Sequence, residues 1–139
     1  MNYRTIINKG TSLLRKNFIS QAVLDAELLL SISLNKTREE ILLNLERQIS
    51  QEEVKKYINL IKRRNKCEPV SQISGKKFFW KHEFKVNRNV LTPRYETELL
   101  VEEILEIFKY KNCINLLDIG IGSGCIIISL LKEKSKWKG

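Results

Sequence analysis

The stretch that decides the fold is Leu116-Leu117-Asp118-Ile119-Gly120-Ile121-Gly122-Ser123-Gly124, close to the last residue of the 139-residue sequence. An apolar run ends in an acid, three glycines follow on alternate positions, and a second apolar run extends from Cys125 to Leu131. This order is typical of a buried strand, a tight loop and the start of a helix. Glycine permits positive φ and a close approach of a ligand to the backbone. Because the N–H groups that open a helix point outward, the pattern indicates a cofactor loop of the nucleotide-binding type.

The spacing of the glycines narrows the class of ligand. The dinucleotide fingerprint G-x-G-x-x-G needs a glycine where this chain has Cys125, and a P-loop needs a Gly-Lys-Ser/Thr ending that is absent. A cofactor with a nucleoside and an amino-acid tail therefore fits better than a nucleoside polyphosphate. Asp118, at the end of the predicted strand, can accept hydrogen bonds from a positively charged tail. A purely structural turn is the competing interpretation of a single glycine loop.

Composition excludes several classes of protein. Hydrophobic residues make up 42% and charged residues 29% of the chain, which is typical of a globular protein. No apolar run reaches the roughly 18 residues that span a bilayer, and the start of the chain has no signal-peptide core. Three cysteines without C-x-x-C spacing, and a single histidine, argue against a disulfide framework or a metal centre and favour the cytoplasm. The net charge of +9 would attract nucleic acid, but the basic residues are spread along the chain, which favours a solvated surface.

The first half of the chain has helical periodicity. Residues 1 to about 66 predict a small bundle of about four helices, whose apolar stripes form a packed core rather than a cofactor site. Ser20 is a candidate cap of the second helix, with Val23 on its buried side. Capping boxes are predicted at Thr37–Glu40 and Ser50–Glu53. The last helix of the bundle has an apolar face and a basic face, and the basic face consists of Lys55, Lys56, Lys62, Arg63 and Arg64.

The pattern changes at Glu68-Pro69. An aromatic stretch predicts extended structure up to Val86, with a turn at Asn87-Arg88-Asn89 and further extended structure at Val90-Leu91. Its aromatic residues could stack on bases, although a packing face of a hairpin is the favoured interpretation. A helix is predicted from Glu96, followed by a buried strand from Ile114 to Ile119. The apolar stripe of that helix is expected to comprise Leu100, Val101, Ile104, Leu105 and Phe108.

Two stretches together resemble the PrmC/HemK family, the N(5)-glutamine methyltransferases of peptide chain release factors. They are Pro93-Arg94-Tyr95-Glu96-Thr97-Glu98 and the run from Leu117 to Gly124. The family pattern reads V-L-I-P-R-P-E-T-E, then L-D-L-G-T-G-S-G. Tyr95 replaces the family's second proline and Ile121 replaces its threonine, while every glycine of the loop is kept. The helical first half is similar to the family's N-terminal domain in length and layout.

The resemblance implies an α+β chain that combines an N-terminal helical bundle, a β-hairpin linker and the first α-β-α piece of a class I, Rossmann-like methyltransferase domain that uses S-adenosylmethionine. Residues 1–67 would form the substrate-recognition domain, residues 68–93 the linker and residues 94–139 the start of the methyltransferase domain. The cofactor-binding residues carried over by motif are Gly120, Ile121, Gly122, Ser123 and Gly124, with Asp118 near the methionine end and Arg94 and Thr97 at the rim. For the last two, a surface charge and a helix cap are the alternative roles.

The family's catalytic signature, Asn-Pro-Pro-Tyr, does not occur in this sequence, whose prolines are Pro69 and Pro93. We therefore expect a truncated piece of the enzyme that holds no catalytic residue and does not methylate by itself. The expected partner is a peptide chain release factor, with the ribosome as a further candidate; membrane association and direct binding of nucleic acid are not expected. The alternatives are a non-catalytic module that docks a release factor, and a fragment of a nucleic-acid methyltransferase.

Overall fold

The computed structural model describes all residues from Met1 to Gly139 and divides them into two compact units, residues 1–74 and residues 75–139. It contains seven α-helices and one two-stranded sheet, which confirms the predicted mixture of helix and strand. None of the helices combines the length and the apolar character that crossing a membrane requires.

The first unit is the predicted helical bundle. Its hydrophobic core is built around Tyr3, Leu29 and Tyr57, each at most 2% exposed. The bundle consists of α1 (Tyr3–Lys16), α2 (Ala22–Leu34), α3 (Arg38–Leu43), α4 (Gln51–Asn65) and α5 (Val70–Ser74).

The two predicted capping boxes are confirmed. The Glu40 backbone N–H donates to Thr37 Oγ1 at 3.1 Å, and the Thr37 N–H donates to Glu40 Oε2 at 2.7 Å. Ser50 and Glu53 make the same reciprocal pair at 3.2 and 2.8 Å, so two N–H groups at the start of α3 and of α4 are satisfied by side chains.

The predicted start of α2 is wrong. Gln21, not Ser20, precedes the helix, and it makes no side-chain cap hydrogen bond. Val23, expected on the buried side, is 44% exposed. Because the buried stripe runs from Ala22 through Ala26, Val23 lies about 100° around the helix from the stripe and faces away from the core.

One residue of the predicted basic face of α4, Arg64, is largely buried. Arg64 Nε donates to Asp25 Oδ2 of α2 at 2.7 Å, and the two side chains are only 20% and 9% exposed. The other ion pairs of this helix are on its surface: Lys56 with Glu52 at 2.8 Å and Arg63 with Glu68 at 2.5 Å. The Arg64–Asp25 pair therefore links α4 to α2 at a largely buried position.

A close approach of α1 and α4 depends on Gly10. A Cβ atom at this position would lie 1.9 Å from the Tyr57 hydroxyl oxygen and 2.8 Å from the Cζ atom of the same ring. Tyr57 is fully buried and its hydroxyl has no hydrogen-bond partner. Burial raises the pKa of the Tyr57 hydroxyl well above its usual value, so the group stays neutral in the core.

The second unit contains a hairpin. The turn predicted at Asn87–Asn89 is present, but it is not the turn that connects the two strands. Strands β1 (Lys76–Phe79) and β2 (His82–Lys85) pair antiparallel, with Phe79 opposite His82. The connecting turn is therefore Trp80-Lys81, and Asn87–Asn89 forms a separate turn in which the Asn89 N–H donates to Asn87 Oδ1 at 2.9 Å. Val90-Leu91 is not a strand.

The tip of the hairpin is fixed to two helices of the second unit, α6 (Glu98–Ile107) and α7 (Cys125–Glu133). The Trp80 backbone N–H donates to Glu98 at 3.0 Å, and its indole N–H donates to Glu133 at 2.8 Å. Lys81 pairs with the same Glu133 carboxylate at 2.6 Å. These bonds hold Trp80 at φ 55, a left-handed conformation that is unusual for an aromatic residue.

The predicted helix and strand before the glycine loop require correction. A 3₁₀ turn (Tyr95–Thr97) precedes α6, and of the predicted apolar stripe Val101 is buried while Leu100 is 48% exposed. Residues 114–119 do not form a strand, because their ladder is limited to one parallel bridge between Asn115 and Lys138. The bridge consists of the Leu116 N–H to the Lys138 carbonyl at 2.7 Å and the Lys138 N–H to the Ile114 carbonyl at 3.0 Å.

We expect the stability of the chain to fall in acid. Hydrogen bonds from the Thr37 and Ser50 backbone N–H groups lower the pKa of Glu40 and Glu53, and hydrogen bonds from Lys81 and Trp80 lower the pKa of Glu133. A carboxylate whose pKa is lower in the folded than in the unfolded state stabilises the fold at pH values above its unfolded pKa of about 4.3. This stabilisation is lost as the pH falls through the folded-state pKa. Thermal melts followed by circular dichroism should therefore show falling midpoints from about pH 5 to about pH 3.

The variant Glu133→Gln provides the control for that pH series. It removes one of the titrating carboxylates, so its midpoint should change less with pH than that of the unmodified chain. A wild-type midpoint that rises on acidification would contradict the assignment.

Candidate functional site

The glycine loop adopts a conformation that only glycine adopts readily. Gly120, Gly122 and Gly124 have φ values of 83°, 55° and 73°. At such angles the Cβ atom of any other L-residue is strained. The three alternate glycines recognised in the sequence are therefore required by the backbone path of the loop.

The loop leads directly into α7. The Gly124 N–H donates to the Ile121 carbonyl at 2.8 Å, which closes a turn, and the Ile128 N–H donates to the Gly124 carbonyl at 2.9 Å, which begins the helix. Gly124 caps the helix without a side-chain hydrogen bond. The first N–H groups of α7 are consequently available to a ligand at its positive end.

Space for a ligand exists at two of the three glycines. A Cβ atom added at Gly120 would meet no atom within 4 Å, and one at Gly122 would meet only the Gly120 carbonyl at 3.8 Å. Gly124 differs, because its Cβ would lie 2.9 Å from Ile128 Cδ1. The open side of the loop is thus at Gly120 and Gly122, next to Ile121, which is 55% exposed.

Asp118 brings an acceptor to the start of the loop. Its side chain is half-buried, and its Oδ2 atom is buried without a hydrogen-bond partner. A buried carboxylate oxygen without a hydrogen-bond partner lowers the stability of the fold unless a donor or a cation binds to it. The loop therefore combines backbone N–H donors, open space and an acceptor, which suits a small ligand that carries both a polar group and a positive charge.

Leu117 and Ile119 were expected to be buried in a strand, and they are not. They are 84% and 88% exposed, because their side of the segment has no covering element. Ile114 and Leu116, on the alternate positions, pack against the hydrophobic core of the second unit. The alternation of the segment is that of a strand with one covered face.

Arg94 and Thr97 lie outside the loop. Arg94 is exposed in extended backbone before the 3₁₀ turn. Thr97 occupies the N-cap position of α6, as its alternative role predicted, but it has helical dihedral angles and makes no side-chain cap hydrogen bond. No hydrogen bond or ion pair joins either residue to the loop.

Sequence reasoning missed an acidic groove in the second unit. It has a volume of about 650 Å³ and is lined by Trp80, Leu105, Lys134 and four glutamates. The sequence does indicate an acidic surface on α6, since Glu102, Glu103 and Glu106 recur at helical spacing along this helix. The fourth glutamate, Glu133, already binds Trp80 and Lys81.

Comparison with known proteins relates the chain to one family. Residues 5–75 match the family described as the PrmC N-terminal domain. The release factor glutamine methyltransferase of Caulobacter vibrioides is 42% identical over 121 residues, which cover 87% of this chain and 42% of that protein. That of Leptospira interrogans is 42% identical over 134 residues, covering 96% of this chain and 47% of that protein.

A second kind of relative is a bifunctional methyltransferase. The Rickettsia typhi protein of that name is 34% identical over 148 residues, covering 94% of this chain and 29% of the relative. The chain thus spans less than half of the length of each of these three relatives. Since the family match covers residues 5–75, more than half of the sequence, the chain belongs to the PrmC N-terminal domain family.

Proposed function

We propose that the chain carries the recognition domain and the first part of the cofactor-binding domain of a release factor glutamine N(5)-methyltransferase. Within it, residues 1–67 are the recognition domain, residues 68–93 the linker and residues 94–139 the start of a class I, Rossmann-like methyltransferase domain. The linker so defined includes α5, which packs with the first unit, as well as the hairpin. The observation that carries the proposal is the glycine loop, which has three positive-φ glycines and open space at Gly120 and Gly122, in a chain related to release factor glutamine methyltransferases.

The residues present fit S-adenosylmethionine. The N–H groups at the start of α7 suit a carboxylate, and the Asp118 Oδ2 atom, which lacks a partner, suits the ammonium or sulfonium group. Ile121 offers apolar surface beside Gly120 and Gly122. Arg94 and Thr97 remain candidates for the rim of this site. The isolated parallel bridge between Asn115 and Lys138 supports the proposal that a parallel sheet begins next to the loop.

When bound, the cofactor supplies the methyl group that a glutamine amide nitrogen attacks. The chain's own residues bind and orient that cofactor, which brings the reacting atoms into line. An amide nitrogen is a poor nucleophile, so its hydrogens need acceptors, and the Asn-Pro-Pro-Tyr motif that provides them is absent from this sequence. We therefore propose that the chain binds substrate and cofactor but transfers no methyl group by itself.

A non-catalytic docking module is the second candidate function, and the compact first unit favours it. Docking of a release factor by the helical bundle is common to both candidates. Methylation of nucleic acid is less well supported, because three arginines of the first unit are engaged in ion pairs: Arg38 with Glu27, Arg63 with Glu68 and Arg64 with Asp25. The three free cysteines support a reducing compartment such as the cytoplasm.

The cofactor assignment is tested by Gly120→Val. Valine at φ 83 projects a branched side chain into the open space of the loop, so S-adenosylmethionine affinity measured by isothermal titration calorimetry should fall at least roughly tenfold. The matched control is Gly75→Val, which has φ 74 and equally open surroundings but lies outside the loop. Equal affinities for the two variants, or no binding by the unmodified chain, would refute the cofactor assignment.

A further inference from the structure

The connection between α1 and α2 carries an exposed aromatic residue in an unfavourable backbone conformation. We call residues 15–24 the α1–α2 corner. Phe18, at its centre, is 95% exposed and has φ 57. A bulky residue at such an angle is a genuine outlier, because its Cβ atom crowds the neighbouring carbonyl. Folding alone therefore gives no reason for phenylalanine at this position.

The local geometry shows that the side chain of Phe18 has no role in ending α1. The Phe18 N–H donates to the Arg15 carbonyl at 3.0 Å, and the Ile19 N–H donates to the Leu14 carbonyl at 3.2 Å. This is the Schellman pattern, in which glycine is preferred at the position of Phe18. The apolar contact that accompanies the motif is supplied by Ile19, which packs against the core of the bundle.

The surroundings of Phe18 define the chemistry of a partner. Two more apolar residues of the corner are exposed, Val23 at 44% and Leu24 at 37%. Arg15 and Lys16 are exposed and take part in no ion pair or side-chain hydrogen bond. The first acid after them, Asp25, is buried and paired with Arg64. The corner thus exposes three apolar side chains and two available positive charges, and it has no acidic residue.

We infer that the α1–α2 corner is the surface on which the recognition domain docks the release factor, with Phe18 inserted into an apolar recess bordered by acidic residues. This inference rests on the proposed function. Burial of an exposed aromatic side chain is the usual source of a binding hot spot, and the two cations steer an acidic partner toward it. An RNA partner fits the corner less well, because Phe18, Val23 and Leu24 are apolar. The positive charges that suit phosphate groups are limited to Arg15 and Lys16.

The first test is Phe18→Gly in the 139-residue chain. Glycine accepts φ 57, so the variant should keep or raise the melting temperature while it loses the anchor. Its dissociation constant for a purified peptide chain release factor, measured by isothermal titration calorimetry, should rise at least roughly tenfold. The matched control is Cys67→Gly, which relieves φ 63 at another exposed position of the first unit and should bind as the unmodified chain does.

The second test reverses charge. Arg15→Glu/Lys16→Glu should slow association roughly tenfold at low salt, whereas Lys55→Glu/Lys62→Glu, the same change on α4, should not. If the unmodified chain binds and both corner variants bind equally well, the corner is not the docking surface, although the proposed function stands. If the unmodified chain binds no release factor, or prefers RNA, both the inference and the proposed docking fail.

Discussion

Replacing Gly10 by valine is expected to destabilise the helical bundle by about 3 kcal/mol, a loss large enough to threaten its folding. Even the first atom of the new side chain would lie 1.9 Å from the Tyr57 hydroxyl oxygen and 3.2 Å from Ile61 Cδ1. Tyr57 and Ile61 are fully buried, so neither can move aside without opening the core. Urea denaturation followed by circular dichroism measures the loss.

A double-mutant cycle identifies the cause of that loss. Tyr57→Phe alone should cost little, because the buried hydroxyl that it removes has no hydrogen-bond partner. Gly10→Ala gains helix propensity but meets the same hydroxyl, and the double variant Gly10→Ala/Tyr57→Phe should recover part of the loss. Additive effects of the two substitutions would show that contact with the Tyr57 hydroxyl is not what requires glycine at position 10.

Asp25→Asn is the second substitution with a large expected effect, about 3 kcal/mol. It leaves the guanidinium of Arg64, whose side chain is 20% exposed, without the carboxylate that lies 2.7 Å from it. Leaving a largely buried charge without its partner costs far more than breaking an exposed pair. Chemical denaturation of the unmodified chain and the variant gives the difference in unfolding free energy.

The matched control for Asp25→Asn is Glu52→Gln. Glu52 pairs with Lys56 at 2.8 Å, but both side chains are more than half exposed. Its replacement should therefore change the free energy of unfolding by less than about 0.5 kcal/mol. Comparable losses of unfolding free energy for the two variants would mean that burial does not determine how much the Arg64–Asp25 pair contributes to stability.

The helical bundle could be predicted because its signals are local. The capping boxes at Thr37 and Ser50 depend on residues three positions apart, and the apolar stripes follow the helical period. The Arg64–Asp25 pair could not be predicted, since it joins residues 39 positions apart on different helices. The exposure of Val23 was missed for a local reason, because Val23 lies three and Ala22 four positions before the buried Ala26, and the helical period fits either residue.

The second unit was predicted less well because its structure depends on distant partners. The apolar run from Ile114 to Ile119 has strand-like alternation, but a strand also needs a neighbour, and its ladder is the single bridge to Lys138. The hairpin turn lies at Trp80-Lys81 because bonds to Glu98 and Glu133 hold it there, against the intrinsic preference of tryptophan. The glycines of the candidate site were recognisable, since positive φ at alternate positions leaves a direct signature in the sequence.

The most direct test of the proposed function is methyl transfer by a completed enzyme. Residues 1–139 would be joined to the remaining part of the Caulobacter vibrioides relative, and the fusion would be incubated with labelled S-adenosylmethionine and a release factor. We predict label on a glutamine side chain of the release factor, located by mass spectrometry, and no label with the unfused chain. A folded fusion that labels no glutamine, while the intact Caulobacter protein does, would contradict the account, and so would label transfer by the unfused chain.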